Sequence, residues 1–201
     1  MLNSVVVYCG ANMGFNPIYS EAAKKTGTLL AAQHTKVVYG GGNMGLMGVV
    51  ANAAMANGGK VIGIIPNFLA KLEVAHNTLT EMVFVDTMHE RKARMVSLSD
   101  GVIALPGGYG TMDELFEILT WRQLRIFSGP IGILNVNGFY DALIVQMDKM
   151  TEDGFLHPDT RKIPIIEKDP EILLKKMSEA AARRVENNGL DTSLYVQNPS
   201  S

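Results

Sequence analysis

Short apolar runs alternate with helix-length segments along almost the whole chain, and this alternation is the strongest constraint on its fold. Strand-like runs are Val5–Cys9, Lys36–Tyr39, Val61–Ile65, Met82–Val85, Val102–Leu105 and Ile131–Leu134, with a weaker one at Ile163–Ile166. Helical segments are Pro17–Gln33, Met44–Asn57, Met88–Leu98, Thr111–Leu124, Tyr140–Thr151 and Pro170–Arg184. The strands are continuously apolar, as expected for a parallel sheet covered on both faces. The pattern predicts an α/β fold, a doubly wound and mostly parallel sheet with helices on both faces. A single domain is expected over residues 1–186, followed by a polar and mobile tail, Asn187–Ser201. Pro66 to Thr80 reads as an irregular loop long enough to be functional.

In such sheets ligands bind outside the carboxyl ends of the strands. Three glycine-bearing turns fall there: Cys9–Gly14 (CGANMG), Gly40–Gly48 (GGGNMGLMG) and Pro106–Thr111 (PGGYGT). One such turn is as readily a tight corner as a ligand site, but three at successive strand ends make a composite pocket. The second turn is not followed, roughly 20 residues on, by the acid that would hold the ribose of a dinucleotide. No GxxxxGK[ST] occurs, so the chain is not a P-loop NTPase.

The third turn continues into PGGYGTMDE, Pro106 to Glu114. Strand, glycine turn and helix start form an anion-binding loop, with free amides at the helix N-terminus favouring a phosphate. A phosphate cradle ordinarily avoids carboxylates, yet Asp113 and Glu114 sit in the first helical turn. Glu114 therefore reads as a reacting group held beside a bound phosphate ester.

On the segment Met88–Leu98, a helical wheel puts Met88, Arg91, Lys92, Met95 and Val96 on one face. Two cations on an apolar stripe either snorkel to solvent or clamp an anion, and Arg suits the second task. The next helix carries two apolar stripes. Met112, Leu115, Phe116 and Leu119 are expected to face the sheet. Ile118 and Trp121, below Glu114, are expected to meet a partner subunit in a homodimer or higher homo-oligomer. His34, His76, His89 and His157 are scattered without metal-ligand spacing, and Cys9 reads as a small core residue. Tyr109 either stacks on a planar ligand or covers its turn.

Composition narrows the classes. Among 201 residues, hydrophobic content is 47% and charged content 19%, which is globular rather than disordered. A net charge of −2 without blocks of like charge argues against nucleic acid as a partner. One cysteine excludes an internal disulfide, and no secretory leader or membrane-length apolar run is read, so a cytoplasmic protein is expected.

The residues above also carry a resemblance. Cys9–Gly10, YGGGNMGLMG (Tyr39–Gly48), VIGIIP (Val61–Pro66), MHERK (Met88–Lys92) and PGGYGTMDE resemble the Lonely Guy (LOG) family of cytokinin riboside 5′-monophosphate phosphoribohydrolases. The likeness runs from Val5 to about Met177. It implies hydrolysis of the N-glycosidic bond of a nucleoside 5′-monophosphate, AMP or an N6-modified relative, to free base and ribose 5-phosphate, without metal or other cofactor. It implies Arg91 and Glu114 as the catalytic pair and Gly107, Gly108, Gly110 and Thr111 as the phosphate site. Lys92, Met88, Gly41 and Gly42 complete the implied substrate set. Ala11–Asn12 stand where many members have serines. The label "lysine decarboxylase" often given to this family is disfavoured, since no Schiff-base lysine motif is present. The alternative reading is a non-catalytic binder similar to molybdenum-cofactor carriers. Such a carrier has no use for a carboxylate beside a phosphate.

Overall fold

The computed structural model describes residues 2–70 and 75–188. Its central strand β1, Ser4–Tyr8, divides its side chains between two cores: Val5 and Val7 face one, Val6 and Tyr8 the other, and all four are buried. A strand buried on both faces must be apolar at every position, which is why the run shows no polar alternation.

Along the chain follow α1 (Pro17–Ala32), β2 (Lys36–Tyr39), α2 (Gly45–Ala56), β3 (Val61–Pro66), α3 (Asn67–Ala70) and β4 (Glu81–Val85). Then come α4 (Met88–Ser97), β5 (Gly101–Ala104), α5 (Tyr109–Gln123), β6 (Ile131–Leu134), α6 (Asp141–Glu152), α7 (Pro158–Arg161), β7 (Pro164–Glu167) and α8 (Pro170–Asn188). The seven strands pair in parallel in the order β4-β3-β2-β1-β5-β6-β7. Helices α1, α2 and α8 supply buried residues to one core, and α4, α5 and α6 to the other. This is the doubly wound sheet expected from the alternation. Short turns α3, α7 and the 3₁₀ turn Val136–Gly138 went unanticipated, because one helical turn shows no periodicity. No helix among the described residues is long and apolar enough to cross a membrane.

Three expectations need adjustment. The stretch from Pro66 to Thr80 is not wholly irregular: α3 occupies its start, and Ala75 bridges to Gly42, while residues 71–74 lie outside the described residues. Of the expected mobile tail, residues 189–201 lie outside the described residues, and Asn187 and Asn188 belong to α8. The faces of α5 also differ from expectation. Thr111, Leu115 and Ile118 form its buried stripe, at spacings of four and three, and Ile118 is only 1% exposed. Phe116 points outward, 39% exposed. Ile118 thus packs in its own subunit rather than waiting for a partner.

Strand order reverses at β1, which lies between β2 and β5, so the crevice at the carboxyl ends of β1 and β5 is the place for a ligand. The turns there are tied together through Gly10. Its N–H donates to Pro106 O at 3.0 Å, and its carbonyl accepts from Leu46 N at 3.0 Å. Gly45, at the start of α2, makes this contact possible. Its φ is +61°, and a Cβ there would lie 2.2 Å from the Ala11 carbonyl carbon. Gly45→Ala should therefore combine left-handed strain with a backbone clash and destabilise the fold by about 2 kcal/mol or more. Urea unfolding monitored by circular dichroism measures it; a loss near zero would show that the turns are not held this tightly.

Candidate active site

A cavity of about 470 Å³ opens at this crevice. Gly10 to Gly14 line one side, Pro106 to Gly108 with Gly110 and Thr111 another, and Gly40 with Arg91 a third. All three glycine turns of the sequence reach it. Among the described residues no group of His, Cys, Asp and Glu is arranged to hold a metal ion.

Arg91 is brought there by α4. Thr87 caps that helix by accepting from Glu90 N at 3.1 Å, and the Glu90 carboxylate reaches back to Asp86 N at 3.0 Å. This reciprocal cap fixes where the first turn starts, and hence which side faces inward. Arg91 is 6% exposed. Its Nε donates to Ile64 O at 3.1 Å, within β3, and its Nη2 to Gly40 O at 2.9 Å, just past the end of β2. Its Nη1 lies 3.8 Å from Met88 Sδ. A Cβ on Gly40 would sit 1.9 Å from Arg91 Nη2, so the absence of a side chain at Gly40 is what admits the guanidinium. The anion-clamp reading of the inward cations thus fits Arg91, which lines the cavity rather than snorkelling out.

Glu114 lies one turn into α5, half-buried on the cavity wall. Burial pushes its carboxyl up, the Arg91 guanidinium pulls it down, and Asp113 pushes it up again. The balance leaves it at about 7. In this competition burial wins. A carboxyl that titrates near neutrality serves as acid or base at physiological pH.

The turn before α5 also borders the cavity. The first amides of a helix have no intrahelical acceptor, and here they open onto the cavity beside Gly108, the N-cap. Nothing lies within 4 Å of a Cβ built on Gly108 or Gly110. The fold itself does not demand glycine at these two positions, and the bare backbone leaves room for a ligand to approach. Gly107 is different: a Cβ there would strike Thr111 Oγ1 at 2.1 Å, which packs the turn.

The cavity collects Arg91, Glu114, Gly107, Gly108, Gly110, Thr111 and Met88 from the sequence-read set. Lys92, Gly41 and Gly42 do not line it. The Lys92 ammonium lies 3.1 Å from both Asp113 and Glu117 carboxylates. Gly41 O accepts from His76 N at 3.0 Å, and Gly42 bridges Ala75. Cys9 is buried at the cavity floor, where burial raises its thiol far above the ordinary range, so it stays protonated and inert. Tyr109 is 96% exposed and outside the lining.

Sequence reasoning missed the apolar wall of Met13, Tyr19, Met47 and Phe139. Tyr19 and Phe139 meet edge to face at 5.9 Å. Asn135 holds the turn that presents Phe139, accepting from Tyr140 N at 2.7 Å. Phe139 follows β6, the strand beside β5, so the strand-end rule itself carried the missed signal.

A family profile described as "Possible lysine decarboxylase" matches residues 47–177. The probable cytokinin riboside 5′-monophosphate phosphoribohydrolase LOGL2 of Oryza sativa subsp. japonica is 45% identical over 87% of this chain and 72% of its own length. The enzyme of that name called LOG1 in Arabidopsis thaliana is 42% identical over 89% of this chain and 84% of its own. Among solved structures, the molybdenum cofactor binding protein of Rippkaea orientalis superimposes with a TM-score of 0.68 at 20% identity, covering 89% of this chain and 97% of that one. The molybdenum cofactor carrier protein of Chlamydomonas reinhardtii gives 0.67 at 14%, covering 90% and 99%. At these identities the two structures speak for the fold. The profile and the relatives above 40% identity speak for more, and the chain belongs to the LOG family.

Proposed function

We propose that this chain hydrolyses the N-glycosidic bond of a nucleoside 5′-monophosphate, releasing the free base and ribose 5-phosphate. The observation that carries this reading is Glu114, a carboxyl poised near neutrality, on the same cavity wall as a bare glycine cradle and opposite a clamped arginine. The names of the relatives support it over the carrier reading, whose structural likeness is in fold alone.

In this reading the phosphate sits at the N-terminus of α5, against Gly108, Gly110 and Thr111, where amides and helix dipole both favour an anion. Arg91 supplies the mobile phosphate or water with a fixed positive charge. The apolar wall of Met13, Tyr19, Met47 and Phe139 suits a planar base. Cleavage passes through an oxocarbenium-like sugar, and ionised Glu114 stabilises that charge or takes a proton from the attacking water. Lys92, Gly41 and Gly42 support the wall from behind in this scheme. The LOG relatives' name points to N6-prenylated adenine nucleotides, with AMP as the plain comparison. A homodimer fits the apolar surface that α5 and its exit leave outside, with Phe116 at 39%, Leu124 at 61% and Ile126 at 67% exposure beside half-buried Trp121. A cytoplasmic setting fits a chain with one cysteine.

Incubation with AMP and with isopentenyladenosine monophosphate, followed by chromatography, should yield free base and ribose 5-phosphate in equal amounts. Adenosine should react with kcat/KM at least ~10-fold lower, because each charge-assisted phosphate contact contributes roughly 1.5–3 kcal/mol. No base released from either nucleotide would overturn the reading.

Glu114→Gln should lower kcat by at least ~10²-fold while nucleotide binding persists. Arg91→Ala should be comparably damaging and Arg94→Ala, on the exposed side of α4, harmless. Equal losses at Arg91 and Arg94 would refute the orientation argument. Glu114→Gln also has a stability signature. A carboxyl raised from 4.5 to about 7 contributes stability below pH 4.5 that is lost as pH rises through 7. The variant should therefore match the wild type at pH 4.5 and exceed it at pH 8.5, by up to about 3 kcal/mol.

Trp121→Glu should dissociate the homodimer. Light scattering on the wild type tests the premise: a mass near the 21.8 kDa of one chain would refute it.

A further inference from the structure

Two adjacent cations on α4 are buried, and only Arg91 reaches the cavity. Lys92, 8% exposed, directs its ammonium to α5 instead. There it lies 3.1 Å from Asp113 Oδ2 and 3.1 Å from Glu117 Oε1. Burial works against its charge, but the hydrogen bonds to Asp113 and Glu117 outweigh burial and hold the ammonium above its ordinary value. Asp113 and Glu117 stand one turn apart on α5, a spacing at which like charges repel. One buried lysine bridges them.

The chain neighbours give this bridge its meaning. Arg91 immediately precedes Lys92, and Glu114 immediately follows Asp113. We propose that Lys92 is a positioning residue for the Arg91–Glu114 pair: it joins α4 to α5 beside the cavity and offsets the two carboxylates that flank Glu114. The proposal rests on the hydrolase reading for its catalytic consequence, and on geometry for the bridge itself. A lysine lacking a bidentate fork suits this site, since its compact charge is shared between two separate acceptors rather than paired with one.

The charged and titratable groups acting on Glu114 come from three elements. Tyr8 and Cys9 face it from β1, and burial keeps both neutral. Arg91 and Lys92 from α4 pull its carboxyl down, while Asp113 and Glu117 on α5 push it up. Removing Lys92 leaves both acids unopposed near Glu114. Removing both acids leaves Lys92 unopposed. The two changes must therefore move Glu114 in opposite directions.

The test is a carbon-13 NMR titration of the Glu114 carboxyl, assigned by its disappearance in Glu114→Gln. Lys92→Met keeps length and apolar bulk, and should raise the midpoint by roughly half a pH unit or more. Asp113→Asn/Glu117→Gln should lower it. In kinetics, the limb of the pH–rate profile that Glu114 supplies should move the same way as the titration, whether Glu114 acts as acid or base. A residue that merely holds the fold would lower kcat equally at every pH and leave the midpoint alone. An unchanged midpoint in Lys92→Met, or shifts of the same sign in both variants, overturns the proposal. Should Lys92→Met not fold, the double variant decides, an unchanged or raised midpoint overturning it. The titration needs no turnover. It stands even if AMP yields no base, the separate result that would overturn the hydrolase reading.

Discussion

The site depends on one residue's backbone, Gly10. Buried N–H and C=O groups must find partners, and in loops they find them in other loops. Gly10 donates to the turn after β5 and accepts from the start of α2, so three strand-end turns satisfy one another. That exchange occupies amides at the start of α2. The N-terminal amide of Leu46 in α2 is already taken by Gly10 O, and Met47 N leans on the same carbonyl at 3.4 Å. The corresponding residues of α5, Gly110 and Thr111, line the cavity. Three glycine turns that look alike in sequence are thus unequal in structure: the turn after β1 ties the other two together, and residues of all three line the cavity.

Electrostatics at Glu114 follows from the same frame. A carboxyl lodged between packed turns loses hydration, which favours its neutral form, while a fixed guanidinium favours its charge. The two effects oppose, and their magnitudes, not their signs, decide the outcome. Wheel positions on two helices indicated that Glu114 and Arg91 share a crevice. They carried no information on how deeply each is buried, and the degree of burial is what lifts the carboxyl to about 7.

Much of the architecture was legible for a plain physical reason. A strand covered on both faces must be apolar throughout, which made the inner runs conspicuous, and all seven runs, the partly exposed edge strands β4 and β7 included, have edges within a residue of those observed. Arg91 was legible because a cation on an apolar stripe near a strand end is conspicuous. The sheet-facing side of α5 was legible only in part: Met112, Leu115 and Leu119 pack on the core as expected, but Ile118 does so too and Phe116 turns outward, because a wheel has no reference for where the sheet lies. The entry at Gly108 and the tight packing of Thr111 on Gly107 set that rotation. Tyr19 escaped notice for a related reason: its pairing with an aromatic ring of a distant segment leaves no local pattern.

The RK pair shows how far one local signature can diverge in the fold. Arg91 satisfies its donors on backbone carbonyls of Ile64 and Gly40, which carry no net charge. Its positive charge is therefore not neutralised and remains felt in the cavity by Glu114 and by any bound anion. Lys92 is matched by two carboxylates, and its charge is absorbed where it stands. Neighbours in sequence and equal in formal charge, one lines the cavity and the other ties two helices together. The difference lies in acceptor type: dipoles hold a cation in place without cancelling it, and anions do both. A planar fork with five donors can be held rigidly by two carbonyls and still present further N–H groups to the cavity in a fixed direction, where an ammonium would keep a single donor.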